Sequence, residues 1–220
     1  MAINLSAYQA LKTTCTASAA KLVAVSKTKP VEDILALYSL GQRDFGENYV
    51  QELVDKQAGL PEDIRWHFIG HLQSNKVKFI APFVHLIHGV DSFKLLREIN
   101  KQGAKADRVI ACLLQVHIAR EETKFGFDEA ELADCLSIVQ KEPDQFTYVK
   151  VAGLMGMASF SDDSGLVRQE FRQLKQLFDK SGFHREIHTL SMGMSGDYPI
   201  ALEEGSNLIR IGSLLFGARS

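Results

Sequence analysis

Cysteine is scarce in this sequence and nowhere paired. Cys15, Cys112 and Cys135 are the three present, and no CxxC occurs. Each stands among apolar residues of an expected helix or strand, which reads as a buried thiol rather than a disulfide, metal or redox site. No uninterrupted apolar run is long enough to span a bilayer. The opening MAINLSAYQALK lacks the charged-then-apolar profile of a secretory signal. A reducing cytoplasm is the expected compartment. No charge dominates either: a net charge of −2 gives no reason to expect nucleic acid or an acidic membrane as partner. Linkers rich in Pro, Gly or Ser are missing, so residues 1–220 read as one domain, long enough for one well-buried core. With 45% apolar and 24% charged residues, the composition is that of an ordinary soluble globular protein.

Against these absences the chain shows a regular rhythm. An N-terminal helix is expected from Leu5, Tyr8, Leu11 and Cys15, spaced by three and four. Short β-type runs then recur: KLVAVSK, RDFGEN, RWHFIG, HLIHGVD, RVIACLLQVHI, YVKVAGLMGM, EIHTLSMGM and NLIRIG, eight in all. Helical stripes lie between them, such as Val167, Phe171, Leu174 and Phe178, or Leu132, Leu136 and Val139. The runs are apolar on both faces, as in a parallel sheet covered by helices. Eight such strands close as a (β/α)₈ barrel or lie open as a doubly wound sheet. An open sheet usually carries a glycine-rich turn after its first strand, whereas here that strand leads into SKTKP without GxGxxG or a P-loop. The barrel is the expected fold, an α/β TIM barrel with an extra N-terminal helix.

In such a barrel chemistry gathers at the C-terminal strand ends. Strand one ends at Ser26-Lys27, strand two at Glu47-Asn48, strand three at Gly70-His71, strand four at Asp91-Ser92, strand six at Met155-Gly156-Met157. Strand seven ends in SMGMSGD, and strand eight at Arg210-Ile-Gly-Ser213. Ser195-Gly196-Asp197 precedes Pro199, a residue suited to a first helical turn, and Gly212-Ser213 opens the turn SLLFG. Helix starts present unpaired N–H groups and partial positive charge, so both turns are candidate phosphate sites as well as ordinary capped turns. Lys27 is a candidate nucleophile. A lysine amine attacks a carbonyl only when neutral, and its free pKa of about 10.4 is lowered by desolvation and by a nearby cation such as Arg210. The plain alternative is a solvated lysine, as its neighbour Lys29 is expected to be. Arg210, between Ile209 and Ile211, needs a partner if buried, a surface ion pair being the other option.

The seven histidines give no metal motif. His67 and His71 are four apart but fall on strand and turn rather than on a helix, and no HExxH occurs. His85 and His88 are expected on opposite faces of a strand. His184 and His188 have no cysteine or acidic cluster to complete a site, so no metal is expected.

Taken together, KLVAVSKTKP, FGENYVQE, WHFIGHLQSNK, GLMGM, LSMGMSGD and IRIGSLLFGAR run nearly end to end. In this ordered set the chain resembles the pyridoxal phosphate homeostasis protein family, relatives of the alanine racemase N-terminal barrel. The resemblance implies pyridoxal 5′-phosphate (PLP) held as a Schiff base on Lys27. It implies Arg210 at the pyridine nitrogen, the phosphate at Ser195, Gly212 and Ser213, and Asn48 beside the ring. His71 falls at a variable position and receives no role. Tyr198-Pro199-Ile200 after SGD departs from the pattern, which bears on how tightly that loop closes.

The resemblance further implies a protein of vitamin B6 homeostasis rather than a strong catalyst. An arginine at the ring nitrogen keeps it unprotonated and weakens the electron sink, while amine exchange remains open. The sequence stops soon after strand eight, without the second domain from which alanine racemases draw a catalytic tyrosine, so a carrier is expected. The alternatives are a PLP-dependent amino-acid racemase and a sugar-phosphate barrel enzyme with Lys27 unmodified. The expected partners are PLP and PLP-dependent apoenzymes, without nucleic acid or membrane, the chain being a monomer or weak dimer.

Overall fold

The computed structural model describes residues 3–121, 125–182 and 188–217. His184, with Glu186 and Ile187 of the seventh expected run, lies outside the described residues, as do Ala218 and Arg219 of the last motif. Eight parallel strands close into a barrel in sequence order: β1 (Lys21–Val25), β2 (Asp44–Glu47), β3 (Arg65–Phe68), β4 (Leu86–Val90), β5 (Ile110–Gln115), β6 (Val149–Met155), β7 (Thr189–Ser191) and β8 (Leu208–Ile211). Closure comes from β1 lying beside β8, with Lys21 opposite Leu208 and Ala24 opposite Ile211. Each expected run contains one of these strands, and the closed order excludes the open doubly wound sheet.

Helices return the chain from each strand to the next. They are α1 (Leu5–Ala17), α2 (Val31–Ser39), α3 (Val50–Gly59), α4 (Val77–Ile80), α5 (Phe93–Ala106), α6 (Glu129–Lys141), α7 (Ser164–Lys180), α8 (Tyr198–Glu203) and α9 (Ser213–Phe216). The extra helix α1 starts at Asn4, whose side chain accepts from the Ala7 N–H at 3.1 Å. It buries Tyr8, Leu11 and Cys15 of the expected stripe while Leu5, in its first turn, stays exposed, and the Asn4 N–H reaches the Leu215 carbonyl of α9 at 2.8 Å. On α7 the stripe of Val167, Phe171, Leu174 and Phe178 is buried as the spacing requires. On α6 the buried pair is Leu132 and Cys135, with Leu136 and Val139 only partly covered. All three cysteines are buried and unbridged. Among the described residues no helix is long and apolar enough to cross a membrane.

Strand side chains alternate between two faces, and here the faces meet different surroundings. Leu22, Ala24, Phe45, Trp66, Phe68, Ile87, Cys112, Leu114, Leu154, Leu190, Ile209 and Ile211 join the large core shared with the helices. Val23, Leu86, Leu113, Met155 and Leu208 form a separate small cluster inside the barrel. On β8, Leu208 and Arg210 therefore share the inner face, while Ile209 and Ile211 point to the helices. Burial of such apolar side chains contributes about 1.5–3 kcal/mol each.

Candidate functional site

The chain around Lys27 is clamped on both sides. One residue earlier, the Ser26 hydroxyl donates to Glu47 Oε1 at 2.6 Å, and the Ser26 carbonyl accepts from Lys56 Nζ at 2.8 Å. One residue later, Thr28 takes a left-handed φ of 60°, and its N–H donates to Glu52 Oε1 at 2.6 Å. Lys56 bridges the two carboxylates, at 2.8 Å from Glu47 and 2.6 Å from Glu52. Glu47 is completely buried, and burial pushes its carboxyl up against the lowering pull of Lys56 and Ser26. Its Oε2 has no hydrogen-bond partner. The sequence placed Glu47 at a strand end without giving it a task. Lys56, the other half of the clamp, lies on α3, and nothing in the linear pattern marks it.

Lys27, Asn48, Ser195, Arg210, Gly212 and Ser213 all line one cavity of about 710 Å³. The six come from four loops and strands, brought together by the closure of β8 on β1, which has β2 on its other side. Asn48 is held where Gly70 permits: a Cβ on Gly70 would stand 2.2 Å from the Asn48 carbonyl oxygen. Its side-chain Oδ1 is buried and has no hydrogen-bond partner. Ser195 lies two residues after Gly193, whose φ of +96° and close approach to Ala201 suit only glycine. There Asp197 Oδ1 accepts from the Met194 N–H at 2.6 Å, closing the loop ahead of α8. Pro199 sits in the first turn of α8 as expected, and Gly212-Ser213 opens α9.

Lys29 overturns its expectation. It is 8% exposed rather than solvated, lines the same cavity, and its Nζ donates to the Phe216 carbonyl at 3.0 Å. The turn after β1 folds back beneath α9, which removes this lysine from water. Phe160, on the loop after β6, was also missed: it lines the cavity while remaining almost wholly exposed.

Arg210 is buried, and among the described residues it has no direct ion pair. Its guanidinium donates to Ser191 Oγ at 2.6 Å and to the Gly156 carbonyl at 3.2 Å. Burial pushes its pKa down to about 10, only partly offset by Asp197, so it stays cationic at neutral pH. The surface ion pair considered for it does not form. Its guanidinium carries more N–H donors than these bonds use.

The histidines also gather differently from expectation. His88 Nδ1 lies 3.2 Å from Ser191 Oγ, His88 Nε2 lies 2.9 Å from His67 Nδ1, and His67 Nε2 lies 3.0 Å from Asp44 Oδ1. His85 was expected opposite His88, but it precedes β4 and escapes the strand alternation, so both rings sit near His67, with centroids 5.3 and 5.2 Å away. Asp44, His67 and His85 each offer one ligand atom within 4.8 Å of the others, a grouping with metal-ligand chemistry. Arg65, however, already donates to both Asp44 oxygens, at 2.8 and 2.6 Å, where its positive charge would repel a cation. His71 lies apart, paired with Asp91 at 3.0 Å and stacked on Phe125 with ring centroids 4.1 Å apart.

Comparison with known proteins bears on this geometry. The model of the alanine racemase N-terminal domain matches residues 5–220. A "Pyridoxal phosphate homeostasis protein" of Aquifex aeolicus is 42% identical over 205 residues, covering 91% of this chain and 87% of that protein. The structure of PipY of Synechococcus elongatus, with PLP bound, superposes with a TM-score of 0.84 at 33% identity, covering 96% of this chain and 99% of that one. Alanine racemase of Streptomyces coelicolor shares the fold, with a TM-score of 0.76 at 16% identity over 99% of this chain and 60% of its own.

Proposed function

The chain belongs to the pyridoxal phosphate homeostasis proteins, within the alanine racemase N-terminal domain family, and on that premise we propose that it binds PLP and serves intracellular vitamin B6 homeostasis. The observation that carries this reading is the convergence of Lys27, Arg210 and the starts of α8 and α9 on one cavity. An aldehyde-bearing, anionic, flat ring fits these groups. Lys27 supplies an amine for covalent attachment, and the helix starts with Ser195 and Ser213 supply donors for a phosphate. Asn48 Oδ1, buried and without a partner, is a polar atom that a ligand would satisfy.

Bound PLP supplies an electron sink to amino-acid chemistry. The chain's own residues set how strong that sink is. Arg210 has donors only and no acidic proton to give near neutrality, so it holds a ring nitrogen as a hydrogen-bond acceptor and leaves it unprotonated. The clamp of Glu47, Lys56 and Glu52 fixes the backbone on either side of Lys27 and so orients its amine. We read the chain as a carrier that exchanges PLP with apoenzymes in the cytoplasm.

The test is a PLP-transfer assay. Protein loaded with PLP is mixed with a PLP-dependent apoenzyme, and recovered apoenzyme activity is followed beside an assay for L-to-D conversion of amino acids. Transfer without conversion supports the carrier. Conversion at enzymatic rates would make the chain a racemase, and failure to retain PLP through gel filtration would refute both.

A further inference from the structure

Arg210 is buried, and Asp197, which lines the same cavity, offsets part of the cost without a direct hydrogen bond to it among the described residues. A buried guanidinium needs its donors satisfied, and its hydrogen bonds go to a hydroxyl and a carbonyl. That hydroxyl is itself held from the polar interior of the barrel. Ser191, His88 and His67 are buried to 2% exposure or less, and they connect Arg210 on β8 to Asp44 at the start of β2.

The direction of every hydrogen bond in this chain is forced from both ends. Arg210 has only donors, so Ser191 Oγ accepts from it and its own proton is left for His88 Nδ1. At the other end Asp44 is ionised. Burial, the largest single effect, pushes its carboxyl up, but hydrogen bonds from Arg65 and His67 together hold it well below the usual carboxylate range. An ionised carboxylate only accepts, so His67 Nε2 carries the proton that faces it. Burial lowers both imidazoles and keeps them neutral. Neutral His67 then offers a lone pair at Nδ1, and His88 Nε2 donates to it. Neutral His88 in turn offers a lone pair at Nδ1, where Ser191 donates. The two directions of assignment meet without a clash, each ring carrying its proton on Nε2.

We propose that Asp44, whose charge is paired with Arg65, anchors a one-way chain of hydrogen bonds through His67, His88 and Ser191 that fixes the Arg210 guanidinium at the cavity. These four are positioning residues and none of them lines the cavity. The benefit to the proposed site is specific. A carboxylate placed directly on Arg210 would compete with the ring nitrogen for its donors and draw the side chain out of position. A neutral relay orients the guanidinium while leaving its remaining N–H groups for the ligand.

This assignment deepens the PLP reading and rests on it for the role of Arg210, so the test separates the two. Ring ¹⁵N NMR of the cofactor-free wild-type protein reports the protonated nitrogen of His67 and His88, and both are expected to be protonated at Nε2. PLP affinity and the cofactor absorption band are then measured for Ser191→Ala, Asp44→Asn and the double variant, with Ser191→Thr as the conservative rescue. Each single change is expected to weaken PLP binding about tenfold, equivalent to ~1.4 kcal/mol, and to shift the band. Because Ser191→Ala already cuts the chain, the double variant should lose no more than about twofold beyond the weaker single variant. Protonation of either ring at Nδ1, or losses that multiply to about a hundredfold in the double variant, would overturn the proposal. If both rings carry Nε2 protons but the wild-type protein takes up no PLP, the chain stands and the cofactor reading alone falls.

Discussion

The Ser26 hydroxyl and the Glu47 carboxylate meet at 2.6 Å, fully buried, one residue before Lys27. Lys56 donates to the same Glu47 oxygen at 2.8 Å, so the structure next to Lys27 is a desolvated ion pair with a hydroxyl attached. Removing one partner of such a pair leaves a buried charge uncompensated, at a cost of about 3–5 kcal/mol. Glu52 also pairs with Lys56 and softens that loss. Glu47→Ala is therefore expected to lower the unfolding free energy by about 3 kcal/mol in urea titrations, and to lose PLP affinity as the Lys27 turn loosens. A stability change under about 1 kcal/mol would show that the clamp does not hold the turn.

The phosphate subsite is tested by comparing two ligands that differ only in the phosphate. Ser195→Ala and Ser213→Ala are expected to weaken PLP binding by about 1.5–3 kcal/mol each, the value of a hydrogen bond to a charged group. Pyridoxal, lacking the phosphate, should be affected much less. Equal losses for the two ligands in equilibrium dialysis would place the phosphate elsewhere.

Stability should fall as the medium is acidified through the histidine range. Burial depresses His67, His85 and His88, taking His85 to about 4. An unfolded imidazole takes its proton near a pH of about 6.5. Below that pH the unfolded chain binds more protons than the folded one, so stability declines toward the folded values. Asp44 adds a loss of the same sign at lower pH: its stabilisation is present above the unfolded carboxylate value of about 3.9 and disappears beneath it. Glu47 acts oppositely, since burial raises it and stability drops as pH rises past the unfolded value of about 4.3. His88→Gln removes one imidazole and isolates its share. Thermal unfolding from about pH 7 to about pH 4.5 should show a shallower decline in the variant than in wild type. Parallel curves would mean that His88 does not titrate with folding.

Arg210 decides how much carbanion chemistry the site supports. If, as proposed, this donor-only cation faces the ring nitrogen, amino acids are expected to perturb the cofactor spectrum without conversion between L and D forms. Exchange of the α-proton with solvent deuterium, followed by NMR on alanine and other amino acids, measures this directly. Turnover of about 1 s⁻¹ or faster, an ordinary enzymatic rate, would contradict the carrier reading. Arg210→Glu should strengthen the sink while costing cofactor affinity.

The barrel was legible because its signal is redundant. All eight runs are short, apolar on both faces and separated by helical stripes, and a strand such as KLVAV is buried from either side. Lys27, Arg210 and the two serines were legible as strand-end residues that a barrel gathers at one mouth, but their roles toward PLP were implied only by the family resemblance, since each alone has an ordinary structural reading. Lys29 was misread because burial by α9 comes from a segment 187 residues away. The relay from Asp44 to Arg210 was invisible for a related reason. Its five residues lie on five different strands, and period-two alternation says only that each lies on one of two faces. Barrel closure makes one of those faces a shared interior, where side chains far apart in sequence meet.

Attachment of PLP at Lys27 is the central claim, and borohydride reduction tests it most directly. The PLP-loaded protein is reduced, digested and mapped by mass spectrometry. The expected result is a pyridoxyl label on Lys27 alone, lost in Lys27→Ala. A label on Lys29, which lines the same cavity, or on Lys76 would contradict the assignment.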